Sequence, residues 1–319
     1  MRTALVTGGL GFIGGHLTQG LRQAGWVVLV LDSQAPPQRA RNGNGAAPVE
    51  YVHADVRDLD ACQSACQGVD TVFHLAGIAS VRESVADPAR AHEVNLSGTV
   101  NLLTAARDQQ VRRLVFSSSA AVYGDADHGA VREGQPTVPL SPYGVGKLAA
   151  EHYCRTFTEL YGLETVSLRY FNVFGPRQSV NSSYGAVIPR FIDAVLRGER
   201  PQVYGDGQQS RDFVHVENVV QANLLAATEP EAVHEVFNIA SGQAISLCRL
   251  LHELSGIVRE DIEADFLPAR DGDIRRSLAD IGKARRMIGY RPRVGLAEGL
   301  KATLLWAQET AGAEVRASA

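Results

Sequence analysis

The stretch TALVTGGLGFIG, residues 3–14, decides the fold of this 319-residue chain. A short apolar run ends in Gly8, Gly11 and Gly14, and the residues that follow place apolar side chains at helical spacing as far as Gly25. Glycines between a strand and a helix allow a tight turn and the close approach of a pyrophosphate, which the free N–H groups of the helix start attract. The stretch therefore predicts a dinucleotide-binding turn.

One acidic residue refines this prediction. The next apolar run, WVVLVLD (26–32), predicts a buried strand ending in Asp32, roughly 20 residues after the glycines. The Asp32 carboxylate can accept hydrogen bonds from both hydroxyls of an adenosine ribose, but it would repel a 2′-phosphate, and Ser33 offers no compensating cation. We therefore expect NAD as the cofactor, with NADP as the less favoured alternative.

Predicted strands and helices alternate along the first half of the chain, which indicates parallel pairing in a sheet covered on both faces. The expected fold class is α/β, a doubly wound parallel Rossmann sheet with a smaller α/β substrate-binding lobe. Three of the predicted elements are a helix over 93–110, a strand over 164–173 and a returning strand over 236–241.

The alternation loosens after about residue 174, where glycine and proline become denser. We expect a cofactor-binding domain over residues 1–173, to which residues 213–240 return. Residues 174–212 and 241–319 are then expected to form the smaller lobe.

Composition and charge narrow the classes of partner. A net charge of −4 gives no general attraction to nucleic acid or to an anionic membrane, and no apolar run approaches the roughly 18 residues of a membrane span. The four cysteines lack the spacing of a zinc site and suit a reducing compartment. We expect a cytoplasmic protein with no metal, nucleic-acid or membrane partner. These cysteines are Cys62, Cys66, Cys154 and Cys248.

The motif YGVGK places Tyr143 and Lys147 four residues apart on one predicted helix, hence on one face. An ammonium beside a phenol favours phenolate and so lowers a pKa that is ordinarily near 10. The stretch FSSSAAVYG (116–124) ends a predicted strand, where α/β sheets bind their ligands. A serine there could hydrogen-bond the alcohol whose proton the tyrosine exchanges.

With these motifs, the chain resembles the extended short-chain dehydrogenase/reductases and, within them, the UDP-hexose 4-epimerases, from TGGLGFIG through DGDIRRSLAD. The resemblance implies a homodimer formed through the helices at about 92–108 and 143–161. It also implies a mainly structural role for Asn95. The implied NAD contacts are Gly8, Gly11, Phe12 and Ile13 at the pyrophosphate, Asp32 at the adenosine ribose, Asp55 and Val56 at adenine, Leu75, Ala76 and Gly77 beneath the cofactor, Lys147 at the nicotinamide ribose and Tyr170 at the nicotinamide.

The same resemblance implies the substrate contacts. Ser119 pairs with Tyr143 over the sugar 4′-hydroxyl, and Asn172 contacts the diphosphate. A diphosphate also needs cations, and the resemblance assigns this role to Arg211 and Arg270. The alternative for Arg211 is a surface ion pair with Asp212. The remaining implied contacts are Asp273 at the uridine ribose and Val187 and Tyr204 at uracil.

The residues after the serines indicate the reaction. Related 4,6-dehydratases carry an Asp-Glu pair where this chain has Ala120 and Ala121. This stretch also lacks the glutamate that decarboxylating relatives carry there and the cysteine that GDP-sugar epimerases carry there. Serine, tyrosine and lysine alone suffice to oxidise C4 with NAD+ and to reduce the 4-keto sugar on its other face. The resemblance therefore implies a 4-epimerase, with a net oxidoreductase using exchangeable NADH and a binding protein without chemistry as alternatives.

One small residue bears on sugar choice. Ser277 stands where similar epimerases border the C2 substituent, and a small side chain leaves room for an acetamido group. This favours UDP-N-acetylglucosamine and UDP-N-acetylgalactosamine over UDP-glucose and UDP-galactose. Ala79 replaces a lysine common in the plain hexose enzymes, which also fits a uronic-acid sugar whose carboxylate meets Arg82 or Ser84.

Overall fold

The structure is a computed structural model that describes residues 2–36, 49–125, 129–179, 186–269 and 274–317. Arg270 and Asp273, two of the predicted substrate contacts, lie outside the described residues.

A central sheet of seven parallel strands organises the chain, in the order β10-β6-β5-β4-β1-β2-β3. The order reverses direction between β1 and β4, which is the switch point where doubly wound sheets bind ligands. The expected doubly wound α/β fold is confirmed. The strands of the described residues are β1 Thr3–Thr7, β2 Val27–Asp32, β3 Glu50–His53, β4 Thr71–His74, β5 Arg113–Ser119, β6 Glu164–Tyr170, β7 Asn172–Phe174, β8 Gln202–Tyr204, β9 Ser210–His215, β10 Val236–Ile239, β11 Ala244–Ser246 and β12 Asp265–Leu267.

Helices cover both faces of this sheet and build the two cores that bury its apolar strands. One core joins α1 and α8 to the sheet, and the other joins α2, α5 and α6. The helices of the described residues are α1 Phe12–Gln23, α2 Leu59–Cys66, α3 Val81–Ala86, α4 Pro88–His92, α5 Gly98–Asp108, α6 Pro142–Tyr161, α7 Val187–Leu196, α8 Val216–Thr228, α9 Leu247–Val258, α10 Gly282–Met287 and α11 Leu296–Ala317.

A smaller lobe stands at the carboxyl end of the central sheet. Its three-stranded sheet has the order β11-β9-β7, and β12 pairs with β8 in a separate parallel ribbon. A third apolar core holds α7, α9 and α11 against these strands, with Phe174, Phe191 and Leu300 among its buried side chains.

Two elements differ from those that the sequence predicts. The strand expected over 164–173 divides at Phe171, because β6 stays in the central sheet while β7 leaves it to pair with β9. The helix expected over 93–110 begins with a π-helical turn, Glu93–Ser97, before α5.

The packing also cuts across the expected lobe boundary. The segment Ala279–Tyr290 falls within the part assigned to the smaller lobe, yet its apolar side chains enter the core that α1 and α8 share. Conversely Phe213, assigned to the cofactor domain, packs in the core of the smaller lobe. The domain limits otherwise stay a prediction.

Among the described residues, no helix is both long and apolar enough to cross a bilayer. Cys62, Cys66 and Cys154 are buried free thiols, and burial raises the pKa of the first two to about 12. No group of three or more possible metal-ligating side chains occurs in that part of the chain.

Candidate active site

The glycine turn after β1 packs so tightly that side chains would not fit. Gly8 has φ of +69°, and a Cβ there would lie 2.7 Å from the amide nitrogen of Ala76. A Cβ on Gly14 would lie 2.1 Å from the carbonyl oxygen of Gly8. The helix α1 then starts after Gly11 with no acidic residue in its first turn. Its N–H groups and positive dipole end suit a pyrophosphate, so the residues fit NAD.

Asp32 is fixed at the end of β2 by two backbone amides. Its Oδ2 accepts from the amide of Leu10 and its Oδ1 from the amide of Gln34, both at 2.9 Å. A carboxylate has about four lone-pair positions, so both oxygens keep capacity for a further donor. The carboxylate is only 8% exposed and stands beside the glycine turn, as a ribose site requires.

The residues predicted to flank adenine occupy the loop after β3. Asp55 is paired with Arg57 at 2.9 Å, and this guanidinium lowers the pKa of the carboxyl group. Val56 is buried, and its carbonyl oxygen accepts from the side-chain amide of Asn101 at 3.2 Å. This loop is therefore held by the neighbouring α5.

The loop Leu75–Gly77 lies between the glycine turn and α6. A Cβ on Gly77 would lie 2.9 Å from the Oδ1 of Asn95. That oxygen accepts from the amide of Ile78 at 2.7 Å, and the Nδ2 of Asn95 donates to the carbonyl of Ile78 at 3.0 Å. Both side-chain groups of Asn95 thus hold the loop, in agreement with a structural role.

Three predicted catalytic residues meet where β5 ends against α6. Ser141 caps α6 by accepting from the amide of Gly144 at 3.1 Å, which sets the helix start beside the strand end. Tyr143 and Lys147 are 6% and 5% exposed, and the Lys147 Nζ lies 5.9 Å from the Tyr143 ring centroid. The hydroxyl of Ser119 is hydrogen-bonded to the phenol of Tyr143.

Burial acts on the pKa of both titratable side chains at this site, Tyr143 and Lys147. Burial raises the pKa of Tyr143, and the hydrogen bond with Ser119 opposes this only in part. Burial also lowers the pKa of Lys147 to about 8, against the opposing effects of Cys154 and Glu151. Desolvation thus dominates the pKa of both groups in the protein alone, and the expected effect of the ammonium together with a bound cofactor on the phenol stays a prediction.

Tyr170 and Asn172 flank the point where β6 gives way to β7. The phenol oxygen of Tyr170 accepts from the Oγ of Ser117 at 3.1 Å and from the Nδ2 of Asn223 at 2.8 Å. These contacts direct the Tyr170 hydroxyl towards α8, and its predicted contact with the nicotinamide stays a prediction. The Nδ2 of Asn172 donates to the carbonyl of Asp212 at 3.3 Å.

The smaller lobe contributes Arg211, on β9, whose Nη1 donates to the carbonyl of Ser210 at 2.9 Å. Its neighbour Asp212 is fully buried and anchors two other segments. The Asp212 carboxylate accepts from the amides of Ser241, Gly242 and Ala279 and from the Ser241 hydroxyl, at 2.6 to 3.3 Å. Burial raises the pKa of Asp212 to about 6.

Ser277 lies beside the same strand. Its amide donates to the carbonyl of Ser210 at 3.0 Å, which places the predicted sugar-selecting residue next to the segment that carries Arg211. Of the residues predicted at uracil, Val187 opens α7 and Tyr204 ends β8, and both are half-buried. Arg211, Ser277, Val187 and Tyr204 all lie in the smaller lobe.

Ser84 differs from its predicted role at a sugar carboxylate. Its side chain is fully buried. Its Oγ donates to the carbonyl of Val81 at 2.7 Å and accepts from the amide of Tyr143 at 3.2 Å. The Ser84 hydroxyl therefore holds the first turn of α6, which carries Tyr143.

Sequence reasoning missed two groups of buried polar residues near the site. Glu151 and Arg169 form an ion pair at 2.7 Å in which each side chain is 5% exposed. His74 is fully buried, with its Nδ1 2.8 Å from the hydroxyl of Thr7 and its Nε2 2.9 Å from the hydroxyl of Thr99. A charged residue inside the apolar strand ETVSLRY was the available signal for the first group.

The family model described as NAD dependent epimerase/dehydratase family matches residues 4–240. A putative UDP-glucose 4-epimerase of Methanocaldococcus jannaschii is 38% identical over 95% of this chain and 97% of that protein. The solved UDP-N-acetylglucosamine 4-epimerase of Methanobrevibacter ruminantium M1, in complex with UDP-N-acetylmuramic acid, is 38% identical with a TM-score of 0.91, covering 97% of this chain and 99% of that one.

A third similar protein has another sugar in its site. The UDP-glucuronic acid 4-epimerase of Bacillus cereus, in complex with UDP-glucuronic acid and NAD, is 31% identical with a TM-score of 0.87, over 97% of this chain and 100% of that one. The fold, the glycine turn and the Ser-Tyr-Lys site define a dinucleotide-dependent enzyme of the extended short-chain dehydrogenase/reductase type. The chain belongs to the NAD-dependent epimerase/dehydratase family. The expectations of an enzyme and of NAD as its cofactor are thereby confirmed.

Proposed function

We propose that this chain is a UDP-sugar 4-epimerase, with UDP-N-acetylglucosamine and UDP-N-acetylgalactosamine as the favoured pair and UDP-glucose and UDP-galactose as further substrates. One observation carries the proposal. Ser119, Tyr143 and Lys147 converge at the carboxyl end of β5, and the residues that follow, Ala120 and Ala121, supply no second acid or base. Such a site suits exchange of one proton at an alcohol rather than elimination.

The cofactor contacts divide among three parts of the described site. The glycine turn and the start of α1 would hold the pyrophosphate, Asp32 would hold the adenosine ribose, and Lys147 would hold the nicotinamide ribose. When bound, NAD supplies a reversible two-electron oxidation at the sugar carbon. Because this oxidation is reversed in the same turnover, no net redox change is required.

Tyr143 then exchanges the proton of the C4 hydroxyl. Its phenolate accepts this proton as the alcohol becomes a ketone, and its phenol returns a proton when the opposite face has been reduced. The Ser119 hydroxyl, already bonded to the phenol, orients the substrate oxygen. The ammonium of Lys147 favours the phenolate, and the positive charge of a bound nicotinamide ring would add to that effect. Both oppose the burial that raises the pKa of Tyr143.

The smaller lobe holds the nucleotide. Arg211 provides a guanidinium for the diphosphate, with Asn172 on the neighbouring β7. Val187 and Tyr204 provide apolar surface for uracil. Ser277, half-buried beside β9, leaves space at C2 of the sugar, and this supports an acetamido substituent.

Two alternative functions keep specific support. UDP-glucuronic acid is the bound sugar of the similar Bacillus cereus enzyme, and Ala79 leaves space in the α3 region, although Ser84 is engaged elsewhere. A net oxidoreductase on a nucleotide sugar needs the same Ser-Tyr-Lys residues but an exchangeable cofactor. Retention of NAD through purification distinguishes an epimerase, which keeps its cofactor, from a net oxidoreductase, which exchanges it.

A homodimer through α6 is also part of the proposal. This helix exposes large apolar side chains at about every seventh or eighth position, hence on one face. Val145 is 53% exposed, Tyr153 44% and Leu160 67%. Analytical ultracentrifugation of the wild type and of Tyr153→Glu tests it: we expect a dimer that the charge disrupts, and a wild-type monomer would contradict it.

The test of function uses the purified protein without added NAD and a panel of three substrates, UDP-N-acetylglucosamine, UDP-glucose and UDP-glucuronic acid. Proton NMR resolves each C4 epimer. We expect the galacto product from the acetamido sugar at the highest rate. Product only from UDP-glucuronic acid would move the assignment to that substrate, and no product from any sugar would contradict the proposed function.

A further inference from the structure

Three consecutive serines at the end of β5, residues 117–119, are each bonded to a side chain on one face of α6. The carbonyl of the first accepts from the Nζ of Lys147 at 2.8 Å. The hydroxyl of the second donates to the Oε1 of Glu151, and the hydroxyl of the third is bonded to the phenol of Tyr143. Since the three α6 residues are spaced four positions apart, they share one face of the helix, and this face is bonded to three successive residues of the strand.

Glu151 is itself held rigidly. Arg169 on β6 donates its Nε to Oε1 at 2.9 Å and its Nη2 to Oε2 at 2.7 Å, so the guanidinium grips both carboxylate oxygens. The same guanidinium donates to the Tyr123 hydroxyl at 2.9 Å and to the carbonyl of Glu133 at 3.2 Å. The carboxylate therefore cannot change rotamer without breaking several buried bonds.

A buried ion pair of this kind is a poor way to gain stability, because desolvation of two charges often exceeds their attraction. A packed apolar pair of similar volume would serve a purely structural purpose as well. The position of Glu151, one helical turn beyond Lys147 and bonded to the serine next to Ser119, points to the catalytic geometry instead.

We propose that Glu151, held by Arg169, is a positioning residue that fixes β5 against α6 so that Ser119, Tyr143 and Lys147 keep the arrangement proton exchange requires. This inference rests on the proposed epimerase function. Glu151 acts through Ser118 and Lys147 and does not touch the substrate.

The charge of Glu151 has a second consequence at Lys147. Burial lowers the pKa of this lysine to about 8, and the Glu151 carboxylate acts in the opposite direction. Burial also lowers the pKa of His74 to about 3 and raises the pKa of Cys154, so both of these neighbours are uncharged at neutral pH. The titratable groups around Lys147 in the described part of the chain are Tyr143, Glu151 and Cys154 on α6, His74 on β4 and Arg169 on β6.

The chain offers a matched control at the other end of the same two strands. There Arg113 on β5 is 3% exposed and pairs with Glu164 on β6 at 2.8 Å, far from the catalytic face. The variants Glu151→Gln and Glu164→Gln therefore remove similar charges from ion pairs between neighbouring elements. Only the first contacts the serines of the site.

The experiment measures kcat, KM and the pH profile of C4 epimerisation for the wild type and both variants, with NAD content and circular dichroism of each. We expect Glu151→Gln to keep its fold and NAD, to keep KM within about twofold, and to lose about 10- to 100-fold in kcat, because small misplacements of catalytic groups are costly. The alkaline limb of its pH profile should lie at lower pH than in the wild type, because the pKa of Lys147 loses the raising effect of the Glu151 carboxylate. Glu164→Gln should match the wild type in kcat and in its pH profile.

The outcomes separate the two proposals. If the wild type epimerises no UDP-sugar, the proposed function fails before the variants are compared. If the wild type is active, a Glu151→Gln enzyme with unchanged kcat and pH profile overturns the positioning role, as do equal losses in both variants. If Glu151→Gln does not fold, Ser118→Ala decides, since it removes the link while keeping the ion pair: lower kcat at unchanged KM supports the role, and wild-type kcat overturns it.

Discussion

The ammonium of Lys147 donates to the main-chain oxygen of Ser117 at 2.8 Å, which ties α6, the helix of the proposed catalytic Tyr143, to β5, the strand that ends in Ser119. The lysine thus has a structural contact with β5 as well as its expected contact with a nicotinamide ribose. Nζ is buried and lies 5.9 Å from the Tyr143 ring centroid, so the ammonium and the phenol share one buried site.

Removing the phenol oxygen should abolish turnover while sparing the fold. Tyr143→Phe is expected to lower kcat by about 10³-fold, because proton exchange with the C4 hydroxyl loses its acid and base. NAD content should stay near that of the wild type. The matched control is Tyr161→Phe, which alters an exposed phenol at the end of the same helix. A Tyr143→Phe enzyme with more than a tenth of wild-type activity would contradict the assignment of the base.

The burial of Lys147 should appear in the pH dependence of stability. Its folded-state pKa of about 8 lies below the value of about 10.4 for an exposed lysine. Between these pH values the lysine is protonated in the unfolded chain but neutral in the folded chain. Its destabilising effect on the fold is therefore largest below pH 8 and shrinks as the pH rises towards 10.

Urea unfolding of the wild type and of Lys147→Met at pH 7 and pH 9.5 measures this effect. The unfolding free energy of the wild type minus that of the variant should increase with pH. A difference that stays constant would show that the lysine titrates as it does in the unfolded chain.

Two helical glycines should respond oppositely to the same change. Gly14→Ala places a Cβ 2.1 Å from the Gly8 carbonyl oxygen, and overpacking of this kind costs about 2 kcal/mol of unfolding free energy. The shifted turn should also release NAD. Gly256 is exposed in α9 with no heavy atom within 4 Å of its Cβ position, so Gly256→Ala should stabilise by about 1 kcal/mol.

Thermal unfolding and the absorbance of bound NAD follow both glycine variants. If Gly14→Ala retained full NAD content and wild-type stability, the tight contact between the turn and α1 would not be required for the cofactor site.

The size of residue 277 should decide the choice between sugars. Ser277→Tyr fills the space beside β9, so kcat/KM for UDP-N-acetylglucosamine should fall by about 10-fold or more relative to UDP-glucose, since a clash at C2 affects only the larger substituent. UDP-glucose serves as the internal control for folding and cofactor binding. Equal losses on both sugars would remove Ser277 from the account of specificity.

The features that the sequence predicted correctly depend on the spacing of residues within short stretches of the chain. The Rossmann sheet follows from apolar runs alternating with helices. The glycine spacing lies within one short strand–turn–helix stretch, and the four-residue step from Tyr143 to Lys147 lies within α6. The predicted companions on other elements could be placed only by resemblance. That Ser119 does meet Tyr143 depends on how β5 packs against α6.

The features that sequence reasoning missed depend on distant contacts. The break at Phe171 occurs because β7 pairs with β9, about 40 residues later in the chain. Ser84 is predicted at a sugar carboxylate, but its hydroxyl bonds the carbonyl of Val81 and the amide of Tyr143 at the start of α6. The Glu151–Arg169 pair joins a helix to a strand 18 residues away, and no local pattern specifies such a partner.

The measurement that tests the central claim most directly uses UDP-N-acetylglucosamine carrying deuterium at C4, incubated with the purified protein and no added cofactor. Inversion at C4 by oxidation and return predicts a galacto product that keeps its deuterium at C4, with no lasting rise in NADH absorbance. A product that has exchanged this label for solvent hydrogen, or NADH that accumulates with a keto sugar, would contradict the account.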